Sequence, residues 1–66
     1  MNKYEIIIWW NKEDNCYLAE ILELPGCMAD GSMVSEVAAA IEEEMKLWIE
    51  VNTERGYAIP QPRELS

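Results

Sequence analysis

Two cysteines are the strongest nucleophiles in this chain of 66 residues, which contains no histidine. Cys16 and Cys27 do not form a CxxC motif, and neither has a neighbouring lysine or arginine that would lower the pKa of its thiol. Without histidine, a serine or cysteine lacks the general base that hydrolases use for activation. We therefore expect two reduced, structural thiols and no nucleophilic catalysis.

Four carboxylates near the predicted turns are the candidates for a catalytic metal site: Asp14, Glu20, Glu23 and Asp30. A metal-dependent nuclease needs several carboxylates that converge on one point, and this spacing does not bring them together. Two cysteines without histidine do not supply the ligands of a structural zinc site. The glycines are isolated and form no phosphate-binding loop. The sequence thus predicts a protein that is not an enzyme and has no metal or cofactor.

Acidic side chains dominate the charge of the chain, with 13 aspartates and glutamates against five lysines and arginines and a net charge of −8. Such a surface repels nucleic acid, because phosphates are bound by clusters of lysine and arginine. Direct binding of DNA or RNA is therefore not expected. The same surface attracts a basic protein and speeds its association. The alternative is that the acidity only keeps a small protein in solution.

Five residues are the candidates for contact with a partner or with a second copy of the chain: Ile7, Trp9, Glu20, Glu42 and Glu43. Ile7 and Trp9 share one face of the first predicted strand, and an exposed tryptophan is typical of an interface anchor. The alternative for Trp9 is burial under residues 59–62. Glu42 and Glu43 belong to an acidic run in the predicted helix, where the alternative is a solvated face.

Alternation of apolar residues and a high content of β-branched and aromatic side chains predict three strands, at residues 3–10, 16–22 and 27–30. Residues 11–15 are polar and short enough to close a hairpin. Pro25 and Gly26 predict a tight turn between the second and third strands, because proline fixes φ and glycine permits positive φ.

A change of period at Met33 or Val34 predicts one helix of about twenty residues. Its apolar stripe consists of Val34, Val37, Ala38, Ile41, Met45, Trp48 and Asn52. Ser32 is predicted to cap the N-terminus, and Gly56 to end the helix. Residues 57–62 contain two prolines and are predicted to be extended, lying on the sheet as an edge strand or strap. The predicted fold class is α+β: a small antiparallel three-stranded sheet with one long helix packed on one face.

The length of the chain is that of a single domain, residues 1–66. A chain this short buries only about 60% of the surface that its unfolded form exposes, yet half of its residues are hydrophobic. This surplus predicts a homodimer or a higher homo-oligomer. The apolar run 6–10 is too short for a signal peptide or a membrane span. We expect a cytoplasmic protein that does not contact a membrane.

A series of residues at ordered intervals completes the sequence evidence. In the strands and turns it consists of Tyr17, Ala19, Leu24-Pro25-Gly26-Cys27 and Gly31. In the helix and tail it consists of Glu36, Glu43, Trp48-Ile49-Glu50, Gly56, Ile59-Pro60 and Pro62. Over residues 3–62 the chain resembles the HicB-like antitoxin family, specifically its N-terminal module. Three residues depart from the common pattern without removing a functional group: Leu22 replaces a proline, Met33 a helix-capping threonine and Val37 an alanine.

The resemblance implies a partial ribonuclease-H-like fold without the catalytic carboxylates. It also implies an antitoxin that binds and masks HicA, a small basic toxin that cleaves mRNA. Many family members continue into a DNA-binding domain, whereas only Arg55 and Arg63 lie near the end of this sequence, so no DNA-reading element is expected. Two alternatives remain. One is an orphan family member that self-associates or binds another partner, and the other is a remnant nuclease suggested by fold analogy alone.

Overall fold

The computed structural model describes residues 4–61, which form three strands and one helix. The elements are β1 (Ile6–Asn11), β2 (Cys16–Ile21), β3 (Met28–Gly31) and α1 (Val34–Glu54). The strands form one antiparallel sheet in the order β1-β2-β3, so β2 is central. The predicted α+β fold is confirmed, whereas its ribonuclease-H-like character stays a prediction. Lys3, the predicted start of the first strand, lies outside the described residues.

Asn11 organises the hairpin between β1 and β2. It pairs with Cys16 as the last residue of β1, so the loop is residues 12–15. Its side-chain Oδ1 accepts a hydrogen bond from the backbone N–H of Glu13 at 3.0 Å, and its Nδ2 donates to Oδ2 of Asp14 at 3.2 Å. These bonds are typical of asparagine in turns, and they fix the position of Asp14.

The Pro-Gly corner is a type II turn that inserts two side chains into the core. The N–H of Cys27 donates to the carbonyl of Leu24 at 2.9 Å, and Gly26 has φ of 85°. Leu24 is 0% exposed and Cys27 is 1% exposed. The corner is held from the helix side, because the indole Nε1–H of Trp48 donates to the carbonyl of Pro25 at 2.9 Å. Its role is therefore to anchor the sheet to α1.

The core lies between α1 and the sheet face that α1 covers. Its buried residues are Ala19, Ile21, Leu24, Cys27, Val37, Ile41 and Met45. Val37, Ile41 and Met45 confirm the helical stripe, whereas Val34, predicted for the same stripe, is exposed. Gly31 lets β3 approach the helix closely, because a Cβ atom there would lie 3.1 Å from the backbone nitrogen of Val37.

The prediction that Ser32 caps α1 was wrong. The N-cap is Met33, which has extended backbone and makes no capping hydrogen bond with its side chain. The hydroxyl of Ser32 instead lies 3.3 Å from Oε1 of Glu36, which also accepts the backbone N–H of Ser32 at 2.9 Å. Glu36 therefore fixes the entry to the helix, and its charge is favourable in the first turn.

The C-terminus of α1 confirms the prediction that Gly56 ends the helix. Gly56 has φ of 79°, and its N–H donates to the carbonyl of Thr53 at 3.0 Å. The N–H of Tyr57 donates to the carbonyl of Asn52 at 2.9 Å, which completes a Schellman motif.

Residues 57–61 carry no strand, so the predicted edge strand does not form in this part of the tail. The carbonyl of Pro60 accepts a hydrogen bond from the hydroxyl of Tyr4 at 2.6 Å. Tyr4 packs against the core together with Ile6 and Ile8, so the tail at Pro60 lies beside the covered side of the sheet. It acts there as a strap. Pro62 lies outside the described residues.

Candidate functional site

The sheet face opposite α1 carries alternate residues of all three strands. Strand register gives two rows across this face, one of Ile7, Glu20 and Met28 and one of Trp9, Leu18 and Asp30. Cys16 follows Leu18 on the same face of β2, because side chains alternate along a strand. We call this surface the open face and define it as Ile7, Trp9, Cys16, Leu18, Glu20, Met28 and Asp30.

Apolar side chains on the open face reach solvent. Ile7 is 38% exposed, Trp9 37% and Met28 44%. Leu18 lies between Trp9 and Asp30 and is half-buried, whereas Glu20 lies between Ile7 and Met28. Ile7, Trp9 and Leu18 thus adjoin one another, and a contiguous exposed apolar surface of this kind is a candidate interaction surface.

The charges at the open face are all negative. Glu20 lies in the first row and Asp30 in the second. The three strands contain no lysine or arginine. A face that combines apolar and acidic side chains is complementary to a partner surface that combines apolar and basic side chains.

A groove of about 370 Å³ lies at one end of the open face. It is lined by Asp14, Cys16, Leu18, Met28, Ala29 and Asp30. The hairpin places Asp14 at this groove through the hydrogen bond from Asn11. Partial desolvation raises the pKa of the Cys16 thiol, and the negative charges of Asp30 and Asp14 raise it further. Both aspartates thus contribute negative charge at the groove.

The five predicted contact residues fall on two separate surfaces. Ile7, Trp9 and Glu20 are neighbours on the open face. Glu42 and Glu43 are exposed on α1, which lies on the other side of the sheet. Their roles in binding stay predictions. Burial under residues 59–62 was the alternative for Trp9, but the hydrogen bond from Tyr4 holds Pro60 beside the other sheet face, and Pro62 lies outside the described residues.

Sequence reasoning did not include Leu18, Met28 and Asp30 among the contact residues. Asp30 was considered only as a metal ligand and a turn residue. The alternation of Met28 and Asp30 in the short third strand was the available signal. It became informative only when the register placed Met28 opposite Glu20 and Asp30 opposite Leu18.

Among residues 4–61, no group of three or more histidine, cysteine, aspartate or glutamate side chains is arranged to hold a metal ion. Of the four carboxylates considered for a metal, Asp14 and Asp30 line the groove. Glu23 lies elsewhere and accepts the backbone N–H of Glu5 at 3.3 Å. The same described part of the chain contains no helix that is long and apolar enough to span a membrane.

The two cysteines are expected to differ strongly in reactivity. Cys16 is half-buried at the groove, whereas Cys27 is 1% exposed and its thiol pKa is raised first by burial and then by Glu44. A disulfide reagent should modify Cys16 in the folded chain, and Cys27 only after denaturation. Because the Cys16 pKa is also raised, its rate should increase about tenfold per pH unit from pH 7 to 8.5. Mass spectrometry of the labelled peptides measures the labelling rate of each cysteine. Rapid labelling of Cys27 in the folded chain would contradict the prediction.

Residues 4–66 match the family described as HicB-like antitoxin of bacterial toxin–antitoxin system. No curated protein matches the chain. The match covers nearly the whole sequence, including the Pro-Gly corner, the open face and α1. The chain therefore belongs to the HicB-like antitoxin family of bacterial toxin–antitoxin systems.

Proposed function

We propose that this chain neutralises a small basic HicA-type toxin by binding it and masking the surface with which the toxin contacts mRNA. Membership of the HicB-like antitoxin family is the observation that carries the proposal. The chain does this without catalysis, in the cytoplasm, and without contacting nucleic acid itself.

The charge of the chain provides the physical reason for masking. A toxin that cleaves mRNA needs lysine and arginine to bind phosphates. A protein with a net charge of −8 is attracted to that same basic surface. It therefore competes with RNA for the surface, and its association is accelerated at low ionic strength.

Co-expression tests the proposal directly. The probe is the product of a neighbouring reading frame that encodes a basic chain of toxin size. Expressed alone, this product should stop growth, and co-expression of the antitoxin chain should restore growth and yield a complex that co-purifies. A toxic neighbour that neither binds this chain nor is rescued by it would overturn the proposal.

The second candidate is a self-associating module of an orphan family member. The exposed apolar side chains of Met33 and Val34 at the start of α1 favour it, because apolar surface is a common basis of homo-oligomers. Self-association is also compatible with toxin binding if the two use different surfaces. Light scattering at tens of micromolar tests the predicted homodimer or higher homo-oligomer, and a monomer at that concentration would contradict it.

A further inference from the structure

We infer that the open face is the surface that binds the basic toxin, and that its groove receives a lysine or arginine side chain of that toxin. This inference rests on the proposed function and adds to it the surface and the chemistry of recognition. Two acidic surfaces compete for this role, namely the open face and the outward side of α1.

The open face combines charge with large apolar anchors. Trp9 and Ile7 are neighbours on β1, and Met28 lies in the same row as Ile7, across β2. Interfaces obtain most of their binding energy from such side chains, especially tryptophan, when a partner removes them from water. The acidic neighbours Glu20 and Asp30 orient a basic partner and disfavour acidic ones.

The outward side of α1 has acidic residues with little apolar surface between them. Glu43 and Glu50 are exposed there, and Leu47 is the large apolar side chain between them. Exposed glutamates on a helix surface stay hydrated, and the ion pairs that they form with a partner contribute little. This surface supports long-range attraction of a basic protein but not a tight contact.

Charge also decides between a toxin and a second copy of this chain as the occupant of the open face. In a two-fold symmetric dimer formed through this surface, the two open faces pack against each other. Glu20 and Asp30 of both copies would then enter one interface, and the strands offer no lysine or arginine to compensate them. Like charges in an interface are strongly unfavourable. A basic partner would instead provide lysine and arginine side chains that pair with Glu20 and Asp30.

The groove fits the amphipathic side chain of lysine or arginine. Leu18 and Met28 form an apolar wall for the aliphatic stem, and Asp14 and Asp30 lie at the groove to receive the charged head. Hydrogen bonds between a guanidinium group and carboxylates are among the stronger polar contacts in proteins. The loop hydrogen bond between Asn11 and Asp14 holds one of the two carboxylates in place before binding.

A matched pair of charge reversals tests the inference. Glu20→Lys lies on the open face, and Glu43→Lys lies on the outward side of α1. Both change the same residue type and shift the net charge equally, so long-range attraction is weakened equally. The dissociation constant for the co-encoded basic toxin should rise more than about tenfold for Glu20→Lys and less than about threefold for Glu43→Lys. Circular dichroism verifies that both variants are folded.

A footprint on the unmodified chain provides a second readout that does not depend on a variant's folding. Cys16 lines the groove, so bound toxin should slow its labelling at pH 8 at least about tenfold, with Cys27 unlabelled in both states. Equal sensitivity to both substitutions, or unchanged Cys16 labelling in the complex, would overturn the inference and leave the proposed function standing. Failure of the toxin to bind the unmodified chain would instead overturn the proposed function, and the inference with it.

Discussion

Replacing Trp9 by alanine should weaken the complex with the basic toxin by at least about 30-fold, which corresponds to roughly 2 kcal/mol. Trp9 is 37% exposed in the isolated chain and lies beside Leu18, at the β1 edge of the open face. Tryptophans that a partner buries are among the residues whose truncation has the largest effects on affinity. Isothermal titration calorimetry of both proteins gives the dissociation constant.

Trp10 offers a control at the adjacent position. It is 46% exposed, and it points to the other side of the sheet, where its ring contacts Tyr17 edge-on at 4.9 Å between centroids. Trp10→Ala removes the same side chain and should change toxin affinity by less than about threefold. If Trp10→Ala weakened binding as much as Trp9→Ala, or if Trp9→Ala had no effect, the open face would not be the interface.

Replacing Leu24 by alanine should destabilise the folded chain by about 2–5 kcal/mol. Leu24 is 0% exposed and precedes the Pro-Gly corner, where it packs with the residues that join α1 to the sheet. Truncation of a buried leucine removes apolar contacts and leaves a cavity. A domain this small has a total stability on the order of 3–7 kcal/mol, so much of the variant should be unfolded at 37 °C. Urea denaturation followed by circular dichroism measures the loss.

Leu22, two positions earlier, is the control for this substitution. It is 49% exposed after the end of β2, so Leu22→Ala removes the same atoms without creating a cavity. We expect a loss below about 1 kcal/mol. Similar losses for the two variants would show that the corner is not a packing element, contrary to the buried side chains of Leu24 and Cys27.

The sequence predicted the elements well because their signals are local. Alternation in β1 and β2, the Pro25-Gly26 turn and the 3.6-residue period of α1 each depend on neighbouring residues. The prediction of the helix cap was wrong, and the cause is also local. The hydroxyl of Ser32 contacts the side chain of Glu36 and not a backbone N–H of the helix. Side-chain competition of this kind is not visible in residue types alone.

The candidate site was only partly predictable, because it depends on register. Ile7 and Trp9 could be placed on one face of a strand from alternation. Their neighbours in β3 could not be placed in this way. A register shift of one residue would have put Cys27 and Ala29 on the open face in place of Met28 and Asp30. Glu42 and Glu43 were candidates on a separate ground, the acidic run of the helix, and the fold places them on the other side of the sheet from Ile7 and Trp9.

The open face and the net charge together form the basis of the mechanism that we propose for neutralisation. In this mechanism the charge of −8 brings the chain to the toxin's basic surface, and Trp9, Ile7 and Met28 stabilise the complex by leaving water. Salt should therefore slow association while affecting dissociation less. In the proposed mechanism, RNA and the antitoxin exclude each other from one surface of the toxin.

Titration of toxin-catalysed RNA cleavage with this purified chain tests the central claim most directly. Cleavage should fall linearly and end at one antitoxin chain per toxin, and Trp9→Ala should require a large excess whereas Trp10→Ala behaves like the unmodified chain. Full cleavage activity in a toxin that is saturated with this chain would contradict the account.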